Sequence, residues 1–364
     1  MALTKIVITG GPCGGKSTGM IRVQEAFEKL GYKVIVISET ATELITGGIS
    51  PVTCPTTQDF QYTNLSLQLF REKIYTEAAL SMKAEKTLML CDRGALDNKA
   101  YMTESDFNAL LQRLGCDEVT LRDGYDAVFH LVTAAKGVDG AYSTANNSAR
   151  TETAEEAIEK DERLISAWTG HPHFRVIDNS TDFDGKLHRL IAEIAAFLGE
   201  PEPMEIERKF LIEYPNLEWL ESQADCAKVE IIQTYLNSEK GEEVRVRQRG
   251  SGGHYTYYHT VKRKISALKR VELERRITET EYLTLLMEAD TSKRQIRKTR
   301  YCLTYRNQYL ELDVYPFWKD KAILEVELSN ENTPITVPSE IKIIKEVTDD
   351  ESYKNASLAK RTDV

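Results

Sequence analysis

Seven short segments in the second half of this 364-residue chain place charged side chains at every second position. The first is MEIERKFLIE at 204–213, in which Glu205, Glu207 and Lys209 alternate with Ile206, Arg208 and Phe210. The habit returns as Arg245 and Arg247 in VRVRQR, Lys262 and Lys264 in VKRK, Glu272 and Glu274 in VELERR, Lys298 and Arg300 in RKTRY, Glu311 and Asp313 in LELDVY, and Glu325 and Glu327 in LEVEL. Successive side chains of a strand point to opposite faces, so each segment has one charged face. The other face is often apolar, as with Val244 and Val246, Leu310 and Leu312, or Leu324 and Val326. An antiparallel sheet with one wet face would alternate in the same way. It would not explain why carboxylates cluster on some strands and cations on others. Rolling the sheet into a closed barrel, charged face inward, makes a lumen in which acids hold metal ions and bases hold a polyanion. Without such ligands, each unpaired buried ion costs several kcal/mol.

The first half follows a different rule. Apolar runs at 6–9, 34–37, 88–91, 127–132 and 174–177 alternate with helical segments, the pattern of a parallel sheet covered on both faces. Directly after the first run comes GGPCGGKST, which fits GxxxxGK[ST]. A helix follows, with Met20, Val23, Phe27 and Leu30 expected on its buried face. The backbone of Gly10, Gly11, Gly14 and Gly15, with Lys16, Ser17 and Thr18, is the expected cradle for the phosphates of ATP or GTP. Lys16 would reach the β/γ-phosphates and Ser17 would hold Mg²⁺. Asp92 ends the third strand, where a carboxylate can hold the Mg²⁺ shell, with Arg93 beside it, and Glu39 ends the second. The polar stretch 146–168 begins loop-like and turns helical, as a lid would.

The seam between the halves is GEPEPM at 199–204, after an amphipathic helix at 183–198. The expected domains are therefore 1–198 and 205–364, joined by a short linker. From Glu205 onward there are 27 Lys and Arg against 28 Asp and Glu, and before it 20 against 29. That acidic first half argues against nucleic acid as a partner. No run reaches the ~20 apolar residues of a membrane span, and no leader-like segment opens the chain, so a cytoplasmic protein is expected. The six cysteines form no CxxC pair, which points to neither a disulfide framework nor a zinc site. Oligomeric state is not legible.

The first half resembles the small P-loop kinases, within them the nicotinamide riboside kinase-like ATPases, by ITGGPCGGKST, CDRG and ARTETAEEA. That resemblance implies that Arg150 closes on the phosphates. The second half resembles the CYTH superfamily, the triphosphate tunnel metalloenzymes. EIERKF is similar to their ExExK signature, and QTYL, VRVR, TVK, ELERR, KTRY, LELDVY and ILEVEL follow in order. The resemblance implies an α+β domain on a closed antiparallel barrel behind an α/β P-loop domain. In it Glu205, Glu207, Glu325 and Glu327 are the metal cage for Mg²⁺ or Mn²⁺. Lys209, Arg245, Arg247, Lys262 and Arg300 grip the phosphate chain, and Glu272, Glu274 and Asp313 serve a second metal or orient water. Lys264 and Lys298 share the parity. The activity implied is hydrolysis of tripolyphosphate or of an organic triphosphate such as a nucleoside or thiamine triphosphate. The alternatives are a nucleotide or polyphosphate sensor with little turnover, an adenylate cyclase, or RNA 5′-end processing. Cyclases of that superfamily tend to carry a histidine and an aromatic before ExExK, where this chain has GEPEPM.

Overall fold

The computed structural model describes residues 2–136, 153–200, 206–238, 242–264, 270–328 and 333–360. The chain divides into two compact units, Met1–Ala192 and Glu193–Val364.

In the N-terminal unit the five expected apolar runs become β1 (Ala2–Gly10), β2 (Lys33–Ile37), β3 (Lys86–Asp92), β4 (Ala127–Leu131) and β5 (Phe174–Ile177). All pairings are parallel, in the order β2-β3-β1-β4-β5. The helices are α1 (Lys16–Lys29), α2 (Thr40–Thr46), α3 (Thr57–Ser81), α4 (Glu104–Leu114), α5 (Glu118–Arg122), α6 (Ala154–Trp168) and α7 (Phe183–Leu198), within which the division at Ala192 falls, with a 3₁₀ turn at Ala95–Tyr101. Ile6, Val7 and Ile8 are all fully buried, so both faces of β1 are covered, as a central parallel strand requires. Met20, Val23 and Phe27 of α1 are buried as expected, whereas Leu30, the C-cap, is exposed.

The strands of the C-terminal unit are β6 (Ile206–Glu213), β7 (Cys226–Tyr235), β8 (Glu242–Ser251), β9 (His254–Lys264), β10 (Arg270–Ile277), β11 (Ile296–Tyr305), β12 (Gln308–Val314), β13 (Lys321–Leu328) and β14 (Ile343–Glu346). Among the described residues, three short α-helices accompany them, α8 (Leu217–Ser222), α9 (Glu279–Leu285) and α10 (Asn355–Leu358), with 3₁₀ turns at Leu286–Glu288 and Glu351–Tyr353. The sheet is wholly antiparallel, in the order β10-β9-β8-β7-β11-β12-β13-β6-β14. Among the described residues no ladder joins β10 to β14, so the closed barrel expected from the resemblance is not formed by backbone pairing. The sheet is nevertheless strongly rolled. Leu211 of β6 and Tyr235 of β7 have β11, β12 and β13 between them in the ladder, yet share one buried cluster with Ile296, Tyr315 and Ile323. Side-chain packing across the concave side carries the curvature.

The alternation read from the sequence separates the two faces. Phe210, Ile212, Leu303, Leu310, Leu312, Leu324 and Val326 form the convex-face core, closed over by Leu220 of α8 and Ile341. The concave face carries the charges, bounded along the strands by the Leu211–Tyr235 cluster at one end and by Val229, Ile231 and Cys302 at the other. None of the six cysteines is disulfide-bonded. No described helix is long and apolar enough to cross a membrane. Because Leu312 is fully buried in the convex core, Leu312→Ala should lower unfolding free energy by about 2–5 kcal/mol. Chemical denaturation would read this as a fall in midpoint at unchanged slope.

Candidate functional site

In the N-terminal unit the glycines after β1 are dictated by close packing. Gly15 has φ 91°, and a Cβ there would lie 2.6 Å from the Phe183 ring; at Gly10 it would lie 2.3 Å from the Leu131 carbonyl oxygen. No other residue fits either position. The Gly14 N–H donates to the Gly11 carbonyl at 3.1 Å, and the Gly19 N–H to that of Gly15 at 2.8 Å, where α1 begins. Ser17 and Thr18 are exposed on its first turn. Lys16 Nζ pairs with the Asp92 carboxylate, so these two expected partners meet. Burial raises the Asp92 pKa and outweighs the Lys16 ammonium, which lowers it.

Beside that pair, Arg93 has φ 69° and gives its guanidinium to Glu39 and, at 3.2 Å, to Asp97. Burial acts to raise the Glu39 carboxyl, but Arg93 and Lys16 prevail and hold it at about 2. The sequence reading missed Asp161. It is fully buried on α6 and accepts from the Gly11 N–H at 3.1 Å and the Thr133 N–H at 3.0 Å, with His130 Nε2 at 2.9 Å and Lys136 Nζ at 3.3 Å. It props the P-loop from below. The described part of the expected lid is therefore a core helix, with Ala157, Leu164 and Trp168 fully buried. The signal was present: Asp161 interrupts an apolar stripe of Ala157, Leu164, Ile165 and Trp168 at helical spacing. Arg150 lies outside the described residues.

In the C-terminal unit, strand register places the expected residues on one face. Cross-strand partners run Arg245↔Thr260, Glu243↔Lys262 and Glu272↔Lys262 on β8, β9 and β10, then Arg300↔Asp313, Glu311↔Glu325, Glu325↔Lys209 and Glu327↔Glu207 from β11 to β6. Glu205 lies outside the described residues, and Glu272 and Lys264 are placed only by register. Lys209 Nζ sits between Glu207 at 3.0 Å and Glu325 at 2.6 Å. Arg300 donates to Asp313 twice at 2.7 Å, to Glu325 at 2.5 Å and to Glu311, while Lys298 also pairs with Asp313. Burial works against the charge of Lys209, yet Glu207 and Glu325 hold its pKa above the usual range. Glu325 is likewise penalised by burial and is kept well below the carboxylate range by Lys209, Lys298 and Arg300.

Glu207 faces Glu327 and Glu311 faces Glu325, and like charges directly opposite each other destabilise a sheet. The hard carboxylate oxygens gathered there are the donor type that suits Mg²⁺ or Mn²⁺. Among the described residues, however, no three Asp, Glu, His or Cys side chains converge as metal ligands. Four of the expected ligands are drawn to cations: Glu207 and Glu325 to Lys209, Asp313 to Arg300 and Lys298, Asp92 to Lys16. Arg300, expected on phosphate, is likewise taken up by carboxylates.

On the other side of the face, Arg247 donates to Glu274 at 2.6 Å and lies 5.1 Å from the Tyr258 ring centre, and its buried Nε has no hydrogen-bond partner. The Thr260 hydroxyl donates to the same Glu274 at 2.7 Å. Arg249, almost fully buried, extends the Arg245–Arg247 row by one more i+2 step that the sequence reading did not take. Gln233, which donates to the Tyr235 hydroxyl at 2.7 Å, also joins this face without having been expected.

The two units thus define a P-loop α/β domain and a rolled antiparallel sheet with a charge-lined concave face. Family models agree with both: residues 5–186 match an AAA domain and residues 203–362 a CYTH domain. The chain belongs to the AAA domain family through its first half and carries a CYTH domain in its second. Solved structures similar to it include the inorganic triphosphatase NE1496, at 30% identity over 43% of this chain and 93% of that one, TM-score 0.31. The putative adenylyl cyclase HpAC1 from Hippeastrum, described as having a dominant triphosphatase activity, is 14% identical over 34% of this chain and 80% of that one, TM-score 0.25. No curated protein matches the sequence.

The Glu39 carboxyl has a folded pKa of about 2 against a reference of 4.5. The folded state then binds fewer protons than the unfolded state between those values, so this group's stabilisation is complete above about pH 4.5 and lost as the pH falls toward 2. Glu39→Gln should remove an acid-labile contribution on the order of 2–3 kcal/mol and flatten stability across that window. Urea unfolding at stepped pH measures it.

Proposed function

We propose that the C-terminal unit is a metal-dependent triphosphatase, hydrolysing tripolyphosphate or an organic triphosphate such as a nucleoside or thiamine triphosphate. In this reading it occupies 205–364 and acts in the cytoplasm, joined to a kinase-like domain, 1–198, that binds ATP or GTP at the P-loop. The observation that carries the proposal is the division of one concave face into a cationic side on β8 and β9 and a carboxylate side on β12, β13 and β6. The CYTH match supports it. The buried Arg247 Nε, which lacks an acceptor within the protein, is suited to a phosphate oxygen.

Glu207, Glu325 and Glu327, with Glu205, would hold Mg²⁺ or Mn²⁺; such an ion, when bound, neutralises the phosphate chain and lowers the pKa of a water. The protein's own residues have separable tasks. Arg245, Arg247 and Lys262 grip the phosphates. Lys209, kept protonated by two carboxylates, serves as fixed positive charge rather than as a base. Arg300 and Lys298 hold Asp313, Glu311 and Glu325 in place from behind. Glu274 aligns Arg247, and its bond from Thr260 fixes the direction.

Phosphate release from tripolyphosphate, thiamine triphosphate and nucleoside triphosphates, with Mg²⁺ and with Mn²⁺, tests this directly. Glu207→Gln combined with Glu325→Gln should cut metal-dependent release by more than about tenfold, since ligand loss is worth several kcal/mol; near-normal release would end the metal-cage assignment. Tripolyphosphate should be cleaved at least as well as any nucleotide. Adenine and guanine nucleotides should differ by less than about tenfold, because discrimination needs buried groups that the wrong ligand leaves unpaired. Lys16→Ala should weaken nucleotide binding at the P-loop and spare tripolyphosphate cleavage.

A further inference from the structure

The P-loop is seated on the end of β4 and on one side chain of α6. A Cβ at Gly14 would lie 2.5 Å from the Leu131 carbonyl oxygen, and one at Gly11 would lie 2.5 Å from Asp161 Oδ1. Thr133, two residues past Leu131, is fully buried, as Asp161 is. The Thr133 hydroxyl donates to the Pro12 carbonyl at 2.5 Å, so a side chain from the next segment grips the loop backbone itself.

Thr133 is held on all sides. Its N–H donates to Asp161 at 3.0 Å, and its carbonyl accepts from the Asn179 amide at 2.8 Å and the Lys136 N–H at 3.2 Å. The Ala135 N–H donates to its hydroxyl oxygen at 3.3 Å, which leaves the hydroxyl proton for Pro12, whose carbonyl can only accept. Lys186, also buried, donates to the Val132 carbonyl at 2.6 Å and to Asn179 at 2.8 Å, and so ties the same segment to α7. Burial acts to raise the Asp161 carboxyl, but His130, Lys136 and the Thr133 N–H prevail and lower it, so it stays an acceptor.

A peptide unit is planar and trans, so its N–H points opposite to its C=O. Thr133 draws the Pro12 carbonyl toward the buried side of the loop, and the Cys13 N–H of the same unit is thereby turned to the open side. Cys13 has φ 57° and Gly15 has φ 91°, left-handed conformations of the kind that gather N–H groups into an anion-binding hollow.

We propose that Thr133 is a positioning residue for the nucleotide phosphates. It does not touch them; its hydroxyl holds the Pro12–Cys13 peptide so that the Cys13 N–H donates to a phosphate oxygen. Asp161 acts one step behind, by fixing Thr133 and the Gly11 N–H together. Without the hydroxyl the Pro12 carbonyl is left unpaired, and the peptide turns to find another partner. This role rests on the reading that the P-loop holds ATP or GTP.

The test titrates a non-hydrolysable ATP analogue with Mg²⁺ into the full-length protein by calorimetry, and the binding step that Lys16→Ala removes is that of the P-loop. Thr133→Val, which matches the side chain in shape and lacks the hydroxyl, should weaken this step by about tenfold or more, and Thr133→Ser should keep it within about threefold of the unaltered protein. A side chain needed for packing alone would give the reverse order, with Val tolerated and Ser impaired; that order, or equal loss in both, overturns the proposal. In protein with isotope-labelled cysteine amides, the Cys13 signal, identified by its absence in Cys13→Ser, should move downfield when the analogue binds. A signal that stays in place overturns the proposal even if Thr133→Val does not fold. If Lys16→Ala and the unaltered protein titrate alike, the P-loop reading itself falls and this role falls with it.

Discussion

The concave face of the C-terminal sheet depends on Arg300. Its guanidinium, buried on β11, is bonded by Glu311 and Asp313 of β12 and Glu325 of β13, so one cation holds three acids. Those acids stand at alternate positions on neighbouring strands, where Glu311 and Glu325 are direct cross-strand partners. Without the cation the pair would repel in a setting of low dielectric, and stripping one member from such a buried cluster typically costs about 3–5 kcal/mol. The Lys209 ammonium performs the same service one strand further on, between Glu207 and Glu325.

This arrangement explains why the charged zone can be buried at all. It lies between two apolar clusters on the same face, and the one that contains Leu211 and Tyr235 joins β6 to β7 across the roll. The core proper is on the opposite face, beneath α8. Charge and packing are therefore divided by side-chain parity, and the curvature brings the cationic side of the face toward its acidic side.

The N-terminal unit solves a related problem with neutral groups. Asn64, Gln68 and Glu72 stand four residues apart on α3, a spacing that would suit a solvated helix stripe, yet all three are buried. Their amides form a directed chain ending on a carboxylate. Asp161 is comparable: one buried acid collects the Gly11 and Thr133 N–H groups and so ties the P-loop to α6.

Much of this was legible in the residues alone. The five parallel strands, the glycine loop with Lys16 and Asp92, and the parity of Glu207, Lys209, Arg247, Asp313 and Glu325 all follow from local rules: strand alternation, helical period and the steric demands of glycine. What those rules cannot supply is which charges touch. Lys209 falling between two glutamates, Arg300 turning to carboxylates, and the polar stripe of α3 facing inward are matters of register and curvature between segments far apart in the chain. Period alone identifies a face; it does not reveal whether that face meets water or another strand. Only the folded chain decides this, because the electrostatic energy of each group depends on what lies within a few ångströms of it, and sequence spacing does not encode that distance.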